Sequence, residues 1–407
     1  MTGVLAFVES NTTGSGTLAF QRAVELGLRP LFLTRDRSRY RGIPDGLAIV
    51  ECETNDVGAV ERTLRSNVAP AALAGVTTTS EFYVEVTAAA AERLGLVSLG
   101  ALAAANCRDK GRTRRILTRV GLAQPRFEIV SNEADGERAA HVVGTPCIIK
   151  PTRDTGSFGV LLCSTAAAAA AQVEAVCSAS VNVRGQAVAP AALVEEYVRA
   201  PEFSVESIRW RSATVWAGIT EKRLGSEPHF VEHGHVFPAA LESLDAACIL
   251  DVVDRALDAV GLANGVVHTE CRFAEGTCWV IEINARPAGG MIPAVVEAAT
   301  GIDLIGSSLL IAAGANPAIE SPRHGVAGIA FIVAKNQGTL ARVDGVDAVA
   351  AVDGVMEVVV DAEAGVEVRP PASSYDRLGY VIVRGADRET MVATLAEAER
   401  RIEVVTT

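Results

Sequence analysis

The chain has 407 residues, 49% of them hydrophobic, and a formal net charge of −12 at pH 7. That length exceeds one ordinary domain and allows a substantial core, which Ala, Val, Leu and Ile must largely supply because only 5% of the residues are aromatic. The negative charge argues against a nucleic-acid partner or an anionic membrane, because both need a basic surface.

Cysteine spacing and the N-terminal sequence are typical of a cytoplasmic protein. The eight cysteines are scattered, with no Cys-x-x-Cys pair and no zinc-like spacing, so we expect buried free thiols. The N-terminus lacks the basic region of a signal peptide, and no apolar stretch reaches ~18 residues. We therefore expect a soluble protein in a reducing compartment, without a membrane partner.

Residues 1–103 alternate strand and helix patterns, which predicts a doubly wound parallel sheet in an N-terminal α/β domain. Val4–Val8 is typical of a short buried strand, and a helix pattern covers residues 17–26. Between them, residues 9–16 form a Gly-containing turn without Gly-x-Gly-x-x-Gly or Gly-Lys-Ser/Thr. We therefore expect this turn to line a substrate cleft rather than to bind a dinucleotide.

Residues 104–197 combine basic groups with a flexible loop. Lys110 lies in a basic helix pattern over residues 109–120, and Lys150 ends an apolar strand at residues 147–151. Two lysines can supply positive charge to a triphosphate, and the loop at residues 155–160 can offer backbone N–H groups and move as a lid. A lone lysine is more often a solvated surface charge, but the end of an Ile-Ile-Lys-Pro strand is an unusual place for one.

The most informative stretch is residues 279–287, Trp-Val-Ile-Glu-Ile-Asn-Ala-Arg-Pro. Its apolar residues alternate with polar ones, and this period of two places Glu282, Asn284 and Arg286 on one face of a strand, with Glu270 twelve residues upstream. Oxygen ligands of this kind suit Mg²⁺, and arginine suits an anion that gains charge during a reaction. The competing interpretation is an edge strand with a solvated, charged face.

Histidines and the tail add weaker signals. His268 precedes Glu270 by two residues, so it either contacts substrate or phosphate or is a satisfied core histidine. We interpret residues 230–238, which contain His233 and His235, as a Gly-containing turn rather than a metal site. Residues 316–407 predict short strands at 328–333, 355–360 and 380–383 and a helix over 388–401, with few candidate catalytic groups.

Four elements now stand in a fixed order: Lys110, Lys150 with its loop, the segment Glu195-Glu196-Tyr197-Val198, and Glu270 with Glu282-x-Asn284-x-Arg286. This order resembles the ATP-grasp superfamily of carboxylate–amine ligases, most of all the L-amino-acid (dipeptide-forming) ligase branch. The resemblance runs from about residue 1 to residue 315 and extends more loosely into the tail.

The fold implied by this resemblance is α/β and has four parts. The predicted units are an N-terminal doubly wound parallel-sheet domain (1–103), the central lid subdomain (104–197) and C-terminal subdomain (198–315) of a two-part ATP-binding core, and a small C-terminal α+β extension (316–407).

The resemblance also implies a nucleotide site. The lysines contact the phosphates beneath the lid loop, backbone groups of residues 195–198 recognise adenine while one glutamate accepts from its exocyclic amine, and Glu202 holds the ribose. The residues so assigned are Lys110, Lys150, Gly156, Ser157, Phe158, Gly159, Glu195, Glu196, Tyr197, Val198 and Glu202.

Metal and substrate contacts follow in the same way. By resemblance, Glu270 and Glu282 bridge two Mg²⁺ ions, with Mn²⁺ as an alternative metal, and Asn284 completes the second ion. Arg286 would stabilise the acyl phosphate and the tetrahedral intermediate. His268 joins Arg286 and Glu282 as a candidate catalytic residue. The further substrate candidates are His233 and His235, which border the cleft, and Gly289 and Gly290, which allow a substrate to approach closely.

The activity implied is ATP-dependent activation of a substrate carboxylate as an acyl phosphate, followed by attack of an amine and release of ADP and phosphate. The partners would be small-molecule carboxylate and amine substrates, in a homodimeric enzyme. Two alternatives stay open: a biotin-carboxylase-like enzyme that activates bicarbonate, and a non-catalytic nucleotide-binding protein, which would be expected to lose Glu282, Asn284 or Arg286. A dehydrogenase would need the missing pyrophosphate fingerprint.

Overall fold

The computed structural model describes residues 3–12, 15–40, 42–225, 227–319 and 323–407. Its N-terminal part is a four-stranded parallel sheet in the order β3-β2-β1-β4, as the alternating pattern predicted. Thr13 and Gly14 of the predicted turn lie outside the described residues. The elements are β1 Val4–Val8, α1 Ser15–Glu25, β2 Arg29–Thr34, β3 Ala48–Glu51, α2 Val57–Asn67, β4 Leu73–Thr77, α3 Val84–Arg93 and α4 Ala101–Arg108.

The central unit begins with the basic helix, which Asp109 caps by accepting a hydrogen bond from the backbone N–H of Arg112. An antiparallel sheet in the order β5-β8-β6-β7 follows, with two helices packed on it. The alanine-rich segment forms the second of these helices, in keeping with the helix propensity of alanine. The elements are α5 Lys110–Arg119, β5 Phe127–Val130, α6 Glu133–Val143, β6 Cys147–Pro151, β7 Leu161–Cys163, α7 Ala166–Cys177 and β8 Ala192–Glu196.

The next unit supplies the strands that carry the metal-type residues. The face of these strands that points away from the metal-type residues contributes Val205, Val267 and Val280 to an apolar core, and helix α8 packs against it. The elements are β9 Glu202–Trp210, β10 Ala213–Leu224, β11 Glu232–Phe237, α8 Ser243–Val260, β12 Gly265–Ala274, β13 Thr277–Asn284, α9 Ile292–Thr300 and α10 Leu304–Ala312.

The tail continues the sheet of the preceding unit. Strands β14, β18 and β16 extend it to eight strands in the order β13-β12-β9-β10-β11-β14-β18-β16, and the remaining tail strands form a small sheet in the order β17-β15-β19. The tail elements are β14 Val326–Val333, β15 Gly338–Asp344, α11 Val346–Ala350, β16 Val355–Val360, β17 Glu367–Val368, β18 Arg377–Gly385, α12 Arg388–Arg401 and β19 Glu403–Thr406.

The α/β fold class is confirmed, and one local interpretation was wrong. The segment expected to be a turn with two histidines is strand β11, which pairs with β10 on one side and β14 on the other. Sheet pairing overrode the local glycine signal, since Gly234 has the carbonyl of Ile329 2.2 Å from where a Cβ would lie. The four domain boundaries stay predictions, and the eight-stranded sheet crosses the one at residue 315.

Within the described ranges, no single helix is long and apolar enough to cross a membrane. Only Ile292–Thr300 and Leu304–Ala312 taken together, bent by 106°, meet the requirements of length and composition.

Candidate active site

All four parts of the chain contribute to the wall of one cavity of about 740 Å³. With two exceptions, Gly159 and His233, every residue predicted for the site lines it. The predicted residues that line it are Lys110, Lys150, Gly156, Ser157, Phe158, Glu195, Glu196, Tyr197, Val198, Glu202, His235, His268, Glu270, Glu282, Asn284, Arg286, Gly289 and Gly290.

Lys150 and Arg114 share a single buried carboxylate, that of Glu195. Lys150 Nζ lies 2.7 Å from Glu195 Oε2, and Arg114 Nε lies 2.7 Å from Oε1. Burial would raise the pKa of Glu195, but the Arg114 guanidinium and the Lys150 ammonium outweigh it and lower the pKa to about 2. Burial lowers the pKa of Lys150, and Arg114 adds to this effect. Two cations on one carboxylate leave a surplus positive charge for a phosphate.

Lys110 connects the lid to the predicted metal strand. Its Nζ lies 3.1 Å from Glu282 Oε1 and donates to the backbone carbonyl of Asp154 at 2.7 Å. A terminal atom of the Asn284 amide lies 3.1 Å from the same Glu282 oxygen and 3.2 Å from Glu81 Oε2. Oxygen-bearing groups from strand β13, from the segment after β6 and from the N-terminal domain therefore lie close to Lys110.

Glu270 lies directly opposite Glu282 in the pairing of β12 with β13. Its Oε1 is 3.0 Å from Nζ of Lys222, which also lies 2.8 Å from Glu202 Oε1 and 3.1 Å from Glu232 Oε1. Burial would lower the pKa of Lys222, but these three carboxylates raise it well above its usual range. Lys222 is therefore a buried cation held among three anions.

Behind Glu270, a histidine and a second buried glutamate continue the polar face of the sheet. His268 lies opposite Glu206 in the pairing of β12 with β9, and its Nδ1 is 3.0 Å from Glu206 Oε1. Its Nε2 is 3.2 Å from Glu270 Oε1. Ser204 donates to Glu206 at 2.8 Å. Glu206 is fully buried, so its position fixes the imidazole ring that faces Glu270.

Aromatic and apolar groups at one end of the cavity suit a nucleobase. The rings of Tyr197 and Phe230 lie 5.3 Å apart, and Arg272 lies over both. Arg272 donates to the Val198 carbonyl at 2.5 Å and to Glu202 at 3.0 Å. Glu196 forms an ion pair with Arg126, an exposed arginine of the central lid subdomain, at 3.1 Å.

The lid loop touches the C-terminal extension across the mouth of the cavity. The backbone N–H and the hydroxyl of Ser374 donate to the Gly156 carbonyl at 3.4 and 3.3 Å. Gly156 has φ +68°, and a Cβ there would lie 2.8 Å from Ser374 Oγ and 3.3 Å from the Tyr375 ring. Both the backbone conformation and the close contact therefore require glycine.

A histidine of β11, His235, faces the Gly289–Gly290 turn. A Cβ at Gly290 would lie 2.9 Å from His235 Nε2, whereas His235 Nδ1 has no hydrogen-bond partner among the described residues. Burial lowers the pKa of His235 to about 3, so its imidazole is neutral. Arg377 pairs with Glu232 and stacks on Phe331, with its guanidinium carbon 3.7 Å from the ring centroid.

Lys222, Glu206, Glu81 and Arg114 were not predicted as site residues, although the sequence carries signals for the first two. The chain has only four lysines against 33 arginines, and three of the four, Lys110, Lys150 and Lys222, line the cavity. Glu206 follows the same alternation as β13, since Glu202, Ser204 and Glu206 share one face of β9. For Glu81, which lies 2.8 Å from Arg286 Nε, and for buried Arg114 there was no local pattern.

The donor set fits magnesium that arrives with a nucleotide. Glu270 and Glu282 face each other, and Asn284 follows on the same strand face. No three or more His, Cys, Asp or Glu side chains of the described residues are arranged to hold a metal ion by themselves. Mg²⁺ commonly takes one or two protein carboxylates and completes its shell with phosphates and water, so this smaller set suffices.

Comparisons with known proteins agree with this geometry. An ATP-grasp domain model matches residues 143–294, and the model of L-amino acid ligase C-terminal domain 2 matches residues 330–407. The crystal structure of L-amino acid ligase from Bacillus licheniformis is 26% identical, has a TM-score of 0.84, and the match covers 100% of this chain and 99% of that one.

Two curated relatives are also similar. An uncharacterised protein of Sinorhizobium fredii is 28% identical over 394 residues, covering 97% of this chain and 81% of that protein. The alanine–anticapsin ligase of Bacillus subtilis is 29% identical over 250 residues, covering 57% of this chain and 52% of that ligase. The match to this ligase thus spans about half of its length.

The fold, the cavity and these matches define an ATP-dependent carboxylate–amine ligase that forms ADP, with an ATP-grasp domain at residues 143–294. ATP-grasp ligases in general use ATP with Mg²⁺. The C-terminal domain model and the full-length structural match show that the chain is similar to the L-amino acid ligases.

Proposed function

We propose that this ligase joins the carboxylate of one amino acid to the amino group of another. The observation that carries the proposal is the convergence of Lys110, Lys150, Glu282 and Arg286 in one cavity that also has room beyond the phosphate lysines. The relatives support amino acids as substrates, since their names are L-amino acid ligase and alanine–anticapsin ligase.

In the first step, a carboxylate oxygen of the acid attacks the γ-phosphorus of ATP, the bond to the β,γ-bridging oxygen breaks, and ADP leaves. The protein contributes positioning and charge. Lys150 and Arg114 share the single carboxylate of Glu195, so their excess positive charge can attract the phosphates. Lys110 lies beside Glu282, and Lys222 lies beside Glu270. Two Mg²⁺ ions, or Mn²⁺ in their place, would add charge neutralisation at Glu270, Glu282 and Asn284.

In the second step, the amine attacks the acyl carbon, the carbon–oxygen bond to phosphate breaks, and the amine loses a proton to the departing phosphate or to solvent. Arg286 is assigned to the oxyanion because it lines the cavity, where its Nε lies 2.8 Å from Glu81 and its Nη1 donates to the Pro287 carbonyl. His235 is assigned as a substrate contact, and its Nδ1 has no hydrogen-bond partner among the described residues. His268, which Glu206 holds in position, lines the same cavity. His233 is a weaker candidate because it does not line the cavity.

The direct test is phosphate and ADP release from ATP in a matrix of amino-acid pairs, with product mass measured by mass spectrometry. We expect ADP formation that depends on two amino acids and yields their condensation product. Bicarbonate with biotin forms a separate arm of the matrix. Turnover only in that arm would favour a bicarbonate-activating enzyme, and nucleotide binding without turnover in any arm would favour a non-catalytic protein.

Two features of the assembled enzyme are also proposals. We propose a homodimer, which light scattering on the purified protein at several concentrations tests. We propose a cytoplasmic location, which fractionation of the source cells tests.

A further inference from the structure

Of the residues that the structure describes, five arginines line the cavity, and four of them face a carboxylate. The pairs are Arg39–Asp36, Arg272–Glu202, Arg286–Glu81 and Arg377–Glu232. Arg184 differs, because no carboxylate oxygen of the described residues lies within 4.0 Å of its guanidinium. A buried guanidinium normally has an anionic partner, so the missing partner of Arg184 indicates a ligand.

Arg184 is held rigidly at the cavity wall. It belongs to the segment between α7 and β8, and it is only 8% exposed. Its two terminal nitrogens donate to Tyr40 Oη at 3.2 Å and to the Ser10 carbonyl at 3.1 Å. Its guanidinium lies 5.8 Å from the Tyr40 ring centroid and 5.9 Å from that of Phe82. These contacts use two of its five N–H donors and leave three.

Glu9, the buried carboxylate on the other side of the Tyr40 hydroxyl, is not an ion-pair partner of Arg184. Glu9 accepts hydrogen bonds from the Tyr40 hydroxyl, from two threonine hydroxyls and from the Arg35 backbone N–H. Neutral donors therefore satisfy Glu9. The Tyr40 hydroxyl, which donates to Glu9 and accepts from Arg184, fixes the guanidinium in its orientation.

The position of Arg184 relates it to the reacting groups. Phe82, on which it lies, follows Glu81, the partner of Arg286. Asn11 and Thr12 of the N-terminal domain line the same end.

We propose that Arg184 binds the α-carboxylate of the amino acid that supplies the attacking amine. This inference rests on the proposed function, in which two amino acids meet in the cavity. The carboxylate to be activated must lie with the phosphates and Arg286. The carboxylate of the second amino acid does not react, so it needs a separate cation, and a planar guanidinium can bind it with two hydrogen bonds.

The first test is equilibrium binding, which needs no turnover. The wild-type enzyme, loaded with Mg²⁺ and a non-hydrolysable ATP analogue, is titrated by calorimetry with amino acids and with their α-carboxamides. Charge-assisted hydrogen bonds contribute ~1.5–3 kcal/mol, so we expect the free acids to bind about 10- to 150-fold more tightly. Equal or absent binding of the two forms would overturn the proposal.

Asparagine and aspartate α-amide distinguish the α-carboxylate from a side-chain carboxylate, because each has one carboxylate, in different places. We expect asparagine to bind and aspartate α-amide to bind weakly. The reverse order would overturn the assignment to the α-carboxylate.

Variants then locate the contact. Arg184→Ala and Arg184→Gln should remove the preference for the free acid and leave binding of the amide within about threefold, with Arg184→Lys intermediate. Arg35→Ala is the matched control, since Arg35 pairs with Glu53 near the same segment but does not line this cavity. If both Arg184 variants lose affinity for the acid and for the amide equally, Arg184 only stabilises the contact between the lid subdomain and the N-terminal domain. That result would overturn the proposal.

Failure of the proposed function has a different signature. If no pair of amino acids yields ADP while the acid-over-amide preference and its loss in the Arg184 variants are observed, the amino-acid ligation proposal fails and the anion site stands. If amino acids are joined but the preference does not depend on Arg184, ligation stands and the anion site fails.

Discussion

Glu282 and Glu270 face each other on two antiparallel strands. Because glutamine has nearly the volume of glutamate, Glu282→Gln removes one negative charge from the metal site and keeps the side-chain volume. Glu282→Gln should reduce ADP formation on the order of 10²-fold or more, because metal-assisted phosphoryl transfer depends on several kcal/mol of charge stabilisation. The melting temperature should stay close to that of the wild type, since Gln can still accept from Lys110. Near-wild-type turnover would remove Glu282 from the metal site.

Lys150 should act on the nucleotide rather than on the amine. Lys150→Ala removes one charge-assisted phosphate contact, at about 1.5–3 kcal/mol, so ATP should bind about 10- to 150-fold more weakly. The fold should persist because Glu195 keeps Arg114. Lys335→Ala is the control, as Lys335 is the only other lysine besides Lys110 and Lys222 and does not line the cavity. Unchanged ATP affinity by calorimetry would contradict the assignment.

Arg286 separates a ligase from an ATP-binding protein. If its guanidinium stabilises charge that develops during reaction, Arg286→Ala should lower kcat by about 10²–10³-fold and raise the KM for ATP much less. Arg286→Lys should recover little, because an ammonium lacks the planar fork. If the ion pair with Glu81 were its only role, the melting temperature would fall and kcat per folded molecule would stay nearly unchanged.

At the scale of elements, the lid loop depends on one glycine. Gly156→Ala adds a Cβ close to Ser374 and Tyr375 and costs about 1–2 kcal/mol in a left-handed conformation. We expect the KM for ATP to rise about 5- to 30-fold. Gly121→Ala is the matched control, because Gly121 has φ +67° and nothing within 4 Å of a Cβ. Equal effects of the two variants would show that the loop contact does not matter.

Period-two patterns predicted the strands well because burial on one face imposes them. The polar face of β13 follows this rule. Residues 147–151, which were expected as an apolar strand, form β6, and the helix expected over 388–401 is α12. Pairs between distant segments left no local trace. The sequence could not show that Glu195 is shared by Arg114 and Lys150, or that Lys222 meets three carboxylates, because those contacts depend on which strands become neighbours.

At the scale of the molecule, the C-terminal extension completes the sheet on which the site is built. A variant that ends at residue 319 would lose β14, β16 and β18 and expose the edge of β11, whose residues 234–237 pair with β14. An uncovered strand edge promotes aggregation, so we expect little soluble, monodisperse protein by size-exclusion chromatography. A soluble variant with a cooperative thermal transition would contradict this dependence.

Lys222 has a consequence for the order in which ligands bind. Together with Arg272 and Arg377, its ammonium already neutralises Glu202, Glu232 and Glu270, so a free divalent cation would have to displace a resident counter-ion and find new partners for it. A nucleotide brings phosphates that can accept the displaced ammonium. The metal should therefore enter as the metal–ATP complex rather than before it, and the enzyme without nucleotide should hold divalent cations only weakly.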